Sequence, residues 1–180
     1  MNAQRGDLYK DDLNAYLAKL TRLVGGRDRL EILAETPDVL ARIVGEHTVK
    51  QMRTRPFEEK WTPNEILGHL GDGEWVIGYR IRQILCEDRP RIYAMDHELW
   101  VSGQRHNERD PAELLAAFVA LRSHNLALWR RMTPVDFQRS GTHSERGCES
   151  LDNTLFMHAG HDLSHIDQIT RYLAEIERTA

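Results

Sequence analysis

Three helix starts are written into the chain, and they leave little room for anything but a helical fold. Thr62-Pro63-Asn64-Glu65 sets a capping Thr before a Pro at the first helical position, with Glu three residues after the cap. The hydroxyl accepts from the third backbone N–H while the carboxylate reaches back to the cap, so two otherwise unpaired donors are satisfied together. Asp110-Pro111-Ala112-Glu113 repeats the device with Asp as the cap, and Thr133-Pro134-Val135-Asp136 is a shorter version. Apolar residues recur at steps of three and four, which predicts long helices over residues 63–86, 111–132 and 151–177, the last with Ser150 as its cap. Upstream, Leu13, Leu17, Leu20 and Val24 form one stripe, which Gly25-Gly26 ends. Leu30, Leu33, Leu40 and Ile43 form another over residues 28–45, where Thr36-Pro37 marks a kink or a fresh start.

Period-two alternation bounded by turns is absent from the sequence, so the fold class is all-α. Two stretches read as irregular: residues 87–109, with a short helix over 94–100, and residues 137–149, with Gly141 and Gly147. Loops of this length in a compact chain tend to carry function. A chain of 180 residues suffices for one core and not comfortably for two. Four long amphipathic helices and an N-terminal extra make a four-helix bundle, an architecture that builds sites in its core from facing helices.

Composition excludes several function classes. A net charge of −4 argues against a nucleic-acid surface, which needs a basic excess. Cys86 and Cys148 form no CxxC pair, so a reducing compartment is expected. The first twenty residues lack the apolar run of a signal peptide, and no stretch approaches membrane-spanning length. The expectation is a cytoplasmic protein that engages neither nucleic acid nor membrane.

Nine histidines are the compositional anomaly, and their positions give it meaning. The inward stripe of the last helix runs Leu151, Leu155, His158, His161 or Asp162, His165, Ile169, Tyr172 and Ile176. His161 and His165 stand one turn apart, the spacing by which two helical imidazoles converge on one ion. His69 falls inside the stripe Ile66, Leu70, Gly73, Ile77 and Ile84 of the helix that starts at Pro63. A lone core-facing histidine is as a rule a hydrogen-bonded packing residue. Three buried imidazoles without partners would be costly, and one divalent cation would satisfy them all. Three protein ligands leave a position for water or substrate, as catalytic centres do.

Beyond these, His158 lies one turn before His161, while Asp96 with His97 and His143 sit in the irregular stretches, where they can reach the mouth of a cleft. Asp72 and Glu74, two residues apart, cannot both share the face of His69; either can orient a ligand, with charged helix surface as the default reading. His47, His106 and His124 have no companion that suggests chemistry. Trp61, Trp75, Trp100 and Trp129 read as packing residues, and neither cysteine has neighbours that would activate it.

Glu59-Lys60-Trp61-Thr62-Pro63-Asn64-Glu65-Ile66-Leu67-Gly68-His69-Leu70, followed by Asp72 and Glu74, resembles the KWS-x-x-E-x-x-x-HL-x-D-x-E signature of the DinB/YfiT-like superfamily. His161-Asp162-Leu163-Ser164-His165-Ile166-Asp167-Gln168-Ile169 resembles its HDLHHLxQI segment, with Ser164 where relatives often carry another His. The resemblance spans residues 29–173. It implies an up-down-down-up bundle over residues 28–180, preceded by a helical extension at 1–27. It also implies nickel or zinc held by His69, His161 and His165. The activities it implies are transfer of a low-molecular-weight thiol to a small electrophile or, alternatively, metal-dependent hydrolysis. A non-catalytic metal-binding module is the third reading. Apolar residues on the N-terminal helix are expected to pack on a second copy, giving a homodimer.

Overall fold

The computed structural model describes residues 2–179. Helix α1 covers Asn2–Val24, α2 Arg29–Glu46, α3 Val49–Arg53 and α4 Pro63–Cys86. Then follow β1 (Arg91–Ile92), α5 (His97–Gly103), a single 3-10 turn (His106–Glu108), α6 (Pro111–Trp129) and α7 (Pro134–Phe137). The strands β2 (Ser140–His143) and β3 (Gly147–Ser150) lead into α8 (Leu151–Thr179). Two of the three expected starts form the full reciprocal box, at Thr62 and Thr133; at the third, Asp110 accepts the Ala112 N–H while Glu113 pairs with Arg109. The Thr62 hydroxyl accepts the Glu65 N–H at 3.1 Å while the Glu65 carboxylate accepts the Thr62 N–H at 2.7 Å.

Side-chain pairings fix the direction of every long helix. Arg29 meets Asp152 and His47 meets Glu177, so α2 runs with α8. Asn64 bonds the Arg109 carbonyl, Glu74 meets Arg122 and Arg82 meets Asn125, so α4 runs with α6. His69 opposes His161 and Glu74 opposes His158, so the two pairs are antiparallel. Taken in chain order, α2, α4, α6 and α8 run up, down, down and up. Helix α1 lies back along α8, where Leu20 and Val24 are buried in the same chain. Gly160 permits this approach, since a Cβ there would stand 2.8 Å from that of Leu20. Leu20 and Val24 are therefore covered within the chain. No helix among the described residues is long and apolar enough to cross a membrane.

Pro37 neither ends nor restarts α2, which is continuous. Proline has no N–H to give the carbonyl four residues back. That carbonyl belongs to Leu33, and it instead accepts from Arg122 Nη1 at 2.8 Å. The helix tolerates the proline because a neighbouring helix supplies the missing donor.

The two stretches expected to be irregular hold a small sheet. β1 pairs parallel with β2, with Arg91 opposite Thr142, and β2 pairs antiparallel with β3. Strands of two to four residues are too short to show alternation in sequence. Gly141 marks the tightest approach, because a Cβ there would come within 2.9 Å of the Pro90 carbonyl oxygen.

The core is divided. One apolar cluster gathers Ile32, Leu33, Ile84, Trp129, Leu151 and Leu155, and a second gathers Leu40, Ile66, Leu114, Phe118, Ile169 and Leu173. Between them the bundle is crossed by a buried polar belt of Glu74, Arg122, Asn125, His158 and Asp162.

Candidate metal centre

Antiparallel packing of α4 on α8 brings His69 against His161 and His165 at the level of that belt. One ring nitrogen from each lies within 4.8 Å of the others. His69 Nε2 and His161 Nε2 stand 3.0 Å apart. Two nitrogens bound about 2.0–2.1 Å from a tetrahedral ion would be roughly 3.3 Å apart, so the pair already has close to that spacing. His165 Nδ1–H donates to Gln168 Oε1 at 2.9 Å, which turns the Nε2 lone pair toward its neighbours. Gln168 is itself held by its amide on the Tyr172 hydroxyl at 3.0 Å, and such outer contacts fix tautomer and ring orientation.

The three rings are neutral near neutral pH. Burial, followed by the proximity of His165, His97 and His106, pushes His69 down to about 2. His161 is likewise driven well below its ordinary value by burial and by the adjacent rings. His165 falls to about 4, again chiefly through burial. The donor set therefore presents converging lone pairs. These features fit a borderline divalent cation. No carboxylate or fourth imidazole joins the group among the described residues.

The triad opens on a cavity of about 370 Å³. Trp61 and His97 cover it, and sequence reasoning gave Trp61 no part in the site. The Trp61 ring centroid is 4.9 Å from that of His69 and stacks near-parallel over His165, while its Nε1–H donates to Glu98 at 3.0 Å. His97 meets His69 edge-on at 5.1 Å. Asp96 is placed elsewhere than expected. It caps α5, accepting the Leu99 N–H at 3.0 Å, and lines an outer groove rather than the cavity. Aspartate before a helix start is a preferred cap, and the side chain that reaches inward is its neighbour's.

His143 does line the cavity, where its Nδ1 accepts the N–H groups of Glu145 and Arg146 at the hairpin turn. Burial and then the nearby Arg146 and Arg80 lower it to about 4. His158 lines the cavity too, but its Nε2–H is committed to Glu74 at 2.6 Å. Ser164, where the motif often has His, is turned away from the triad and accepts from Lys19 Nζ at 2.7 Å.

Asp72 and Glu74 are not helix surface; both are buried, on opposite sides of α4. Asp72 accepts from His106 Nε2 and Gln104 Nε2, each at 2.8 Å, and so ties the α5 segment down. His106 thus has a companion after all. Glu74 accepts from Arg122 at 2.7 and 2.9 Å, from Asn125 at 2.9 Å and from His158. Burial alone would raise its pKa, but His158 and Arg122 hold the carboxyl far below the usual range. Arg122 also pairs with Asp162, 2.7 Å away and adjacent in sequence to His161. Nothing in the local sequence of α4 could disclose these partners, because all of them come from other helices.

Comparison with known proteins gives a consistent result. The sequence profile of the DinB superfamily matches residues 32–169. The chain is 27% identical over 146 residues, 79% of its length and 82% of the relative's, to the "Putative metal-dependent hydrolase YfiT" of Bacillus subtilis. A protein of Oceanobacillus iheyensis with the same functional description is 26% identical over 139 residues, covering 77% of this chain and 80% of the other. The solved structure of YfiT, described as a probable metal-dependent hydrolase with an unusual four-helix bundle topology, superposes with a TM-score of 0.75 at 28% identity. It covers 80% of this chain and 83% of that one.

Proposed function

This chain belongs to the DinB superfamily, and from its site we propose that it is a metal-dependent hydrolase of small molecules, with the cation held by His69, His161 and His165. The observation that carries the reading is a triad with three protein donors, and no fourth among the described residues, facing a cavity. A structural site would be closed by its own side chains, whereas an open position admits a reactant. The all-imidazole set suits zinc or nickel. When bound, such an ion supplies Lewis acidity and lowers the pKa of water.

The protein's own residues account for the rest of the arrangement. Gln168 orients His165, and the Arg122 belt holds Asp162 beside His161. Trp61 and His97 shield the rings from bulk water, which strengthens electrostatics at the reacting centre. Hydrolysis is preferred over thiol transfer because the relatives are described as hydrolases.

Metal content of the purified protein tests the site. Elemental analysis should find about one equivalent of zinc or nickel, and next to none in a His161→Ala, His165→Ala variant that remains folded. Equal content in the two would refute it. A screen of small esters, amides and lactones should then give turnover that chelation abolishes and added metal restores. Turnover only when a thiol is supplied would favour the transferase instead.

A further inference from the structure

The wall of the cavity carries two guanidiniums, those of Arg80, three turns beyond His69 on α4, and Arg146. Arg146 is neutralised by Glu149, with contacts of 2.6 and 2.9 Å. Arg80 is not. Its one hydrogen bond among the described residues runs to the Tyr93 carbonyl at 2.7 Å, and no carboxylate there pairs with it. Glu98 takes the Trp61 indole N–H. Arg80 is also half-buried, and burial together with the neighbouring Arg146 outweighs the attraction of Glu149 and Glu145, so its charge is held there at a cost.

A half-buried cation with no carboxylate in direct contact among the described residues is an expensive arrangement that a bound anion would relieve. The position fits that purpose. Val76, Arg80, Ala94 and Met95 line both the cavity and the groove outside it, so Arg80 stands on the wall that the two share. The surfaces between Arg80 and the histidines include Ile77, Met95 and Met157, which are apolar.

We propose that Arg80 is a substrate-binding residue and that the site takes a small amphiphilic carboxylate. The carboxylate pairs with the Arg80 guanidinium, the apolar body lies along Ile77 and Met157, and the far end reaches the triad. The proposal deepens the hydrolase reading by naming its substrate class, but the pairing itself is a binding property that requires no turnover.

Calorimetric titration of the zinc-loaded protein with 3-phenylpropionate and with its neutral isostere 3-phenylpropionamide separates the possibilities. A hydrogen-bonded charge pair out of bulk water corresponds to roughly a tenfold preference or more, so the acid should bind at least tenfold tighter than the amide. In Arg80→Gln the preference should fall to near parity, and Arg80→Lys should retain part of it. Circular dichroism and the thermal midpoint confirm that each variant is folded. The preference should also persist in metal-stripped wild-type protein. Equal affinity for acid and amide, or failure of both to bind at millimolar concentration, would overturn the proposal. So would a preference that survives Arg80→Gln but vanishes on metal removal, since the carboxylate would then sit on the ion. None of these readings depends on catalysis, so loss of the hydrolase reading in the activity screen would be seen separately.

Discussion

His165, His69 and His143 share a property with a measurable consequence, which is that the folded chain refuses them a proton. His165 and His143 are held at about 4 and His69 at about 2, against an ordinary 6.5. Below pH 6.5 the unfolded chain takes up protons that the folded one does not, so stability rises with pH across that window. The contribution is complete above about 6.5 and drains away as pH falls toward 4. In metal-stripped protein the urea midpoint should therefore decline steadily from pH 7 to pH 4.5. His161→Ala, His165→Ala should decline less steeply, having two fewer such groups; parallel slopes would show that the rings titrate freely. The triad was legible from helical spacing and motif because its members interrupt apolar stripes on their own helices. Arg80, Trp61 and the Glu74–Arg122 pair were not, since each acquires its role from a side chain on a different element. Asp96 shows the converse, a cleft candidate whose carboxylate backbone capping had already claimed.

At the scale of elements, α4 carries the most information. Its start is fixed by the Thr62–Glu65 box, and the Thr62 hydroxyl also bonds Asn107 at 2.7 Å. One residue therefore both opens the helix and anchors the segment that returns to α6. Thr62→Ala should lower unfolding free energy by about 1–2 kcal/mol, measured by urea denaturation. A smaller cost than a few tenths would mean that the cap is redundant. The helix starts were readable because proline and the capping residues act within four positions. Thr48–Gln51 makes the same box before α3, but only five helical residues follow, too few for a periodic stripe. The sheet was unreadable for the related reason that its strands are defined by pairing across residues 90–150 and by nothing local.

In the whole molecule, two apolar clusters hold the ends of the bundle while the charged belt occupies the middle. The matched family profile begins at residue 32, after α1. We propose residues 1–27 as an addition to the common bundle, though one on which this chain's stability depends. Leu20 and Val24 are 0% and 5% exposed on α8. Burial of two such side chains is worth about 3–6 kcal/mol. A chain lacking residues 1–27 should lose that much, read as a shift of the urea midpoint. An unchanged midpoint would show α1 to be merely appended. Fold class followed from periodicity, whereas helix order rested on the family resemblance, because direction depends on tertiary pairs such as Arg29–Asp152.

Parallel neighbours impose a route on the chain. Because α6 runs with α4, the segment leaving Cys86 must travel back along the whole of α4, about 36 Å for 24 residues, before Pro111 can begin the next helix. Tyr93 passes Arg80, His97 passes His69, Gln104 and His106 pass Asp72, and Arg109 reaches Asn64. An antiparallel bundle would turn in a few residues and leave that flank bare. Here the cover over the histidines is a topological by-product. Any chain that keeps this helix order must keep a strap across the site, while the sequence of the strap is left open to change which molecules pass beneath it.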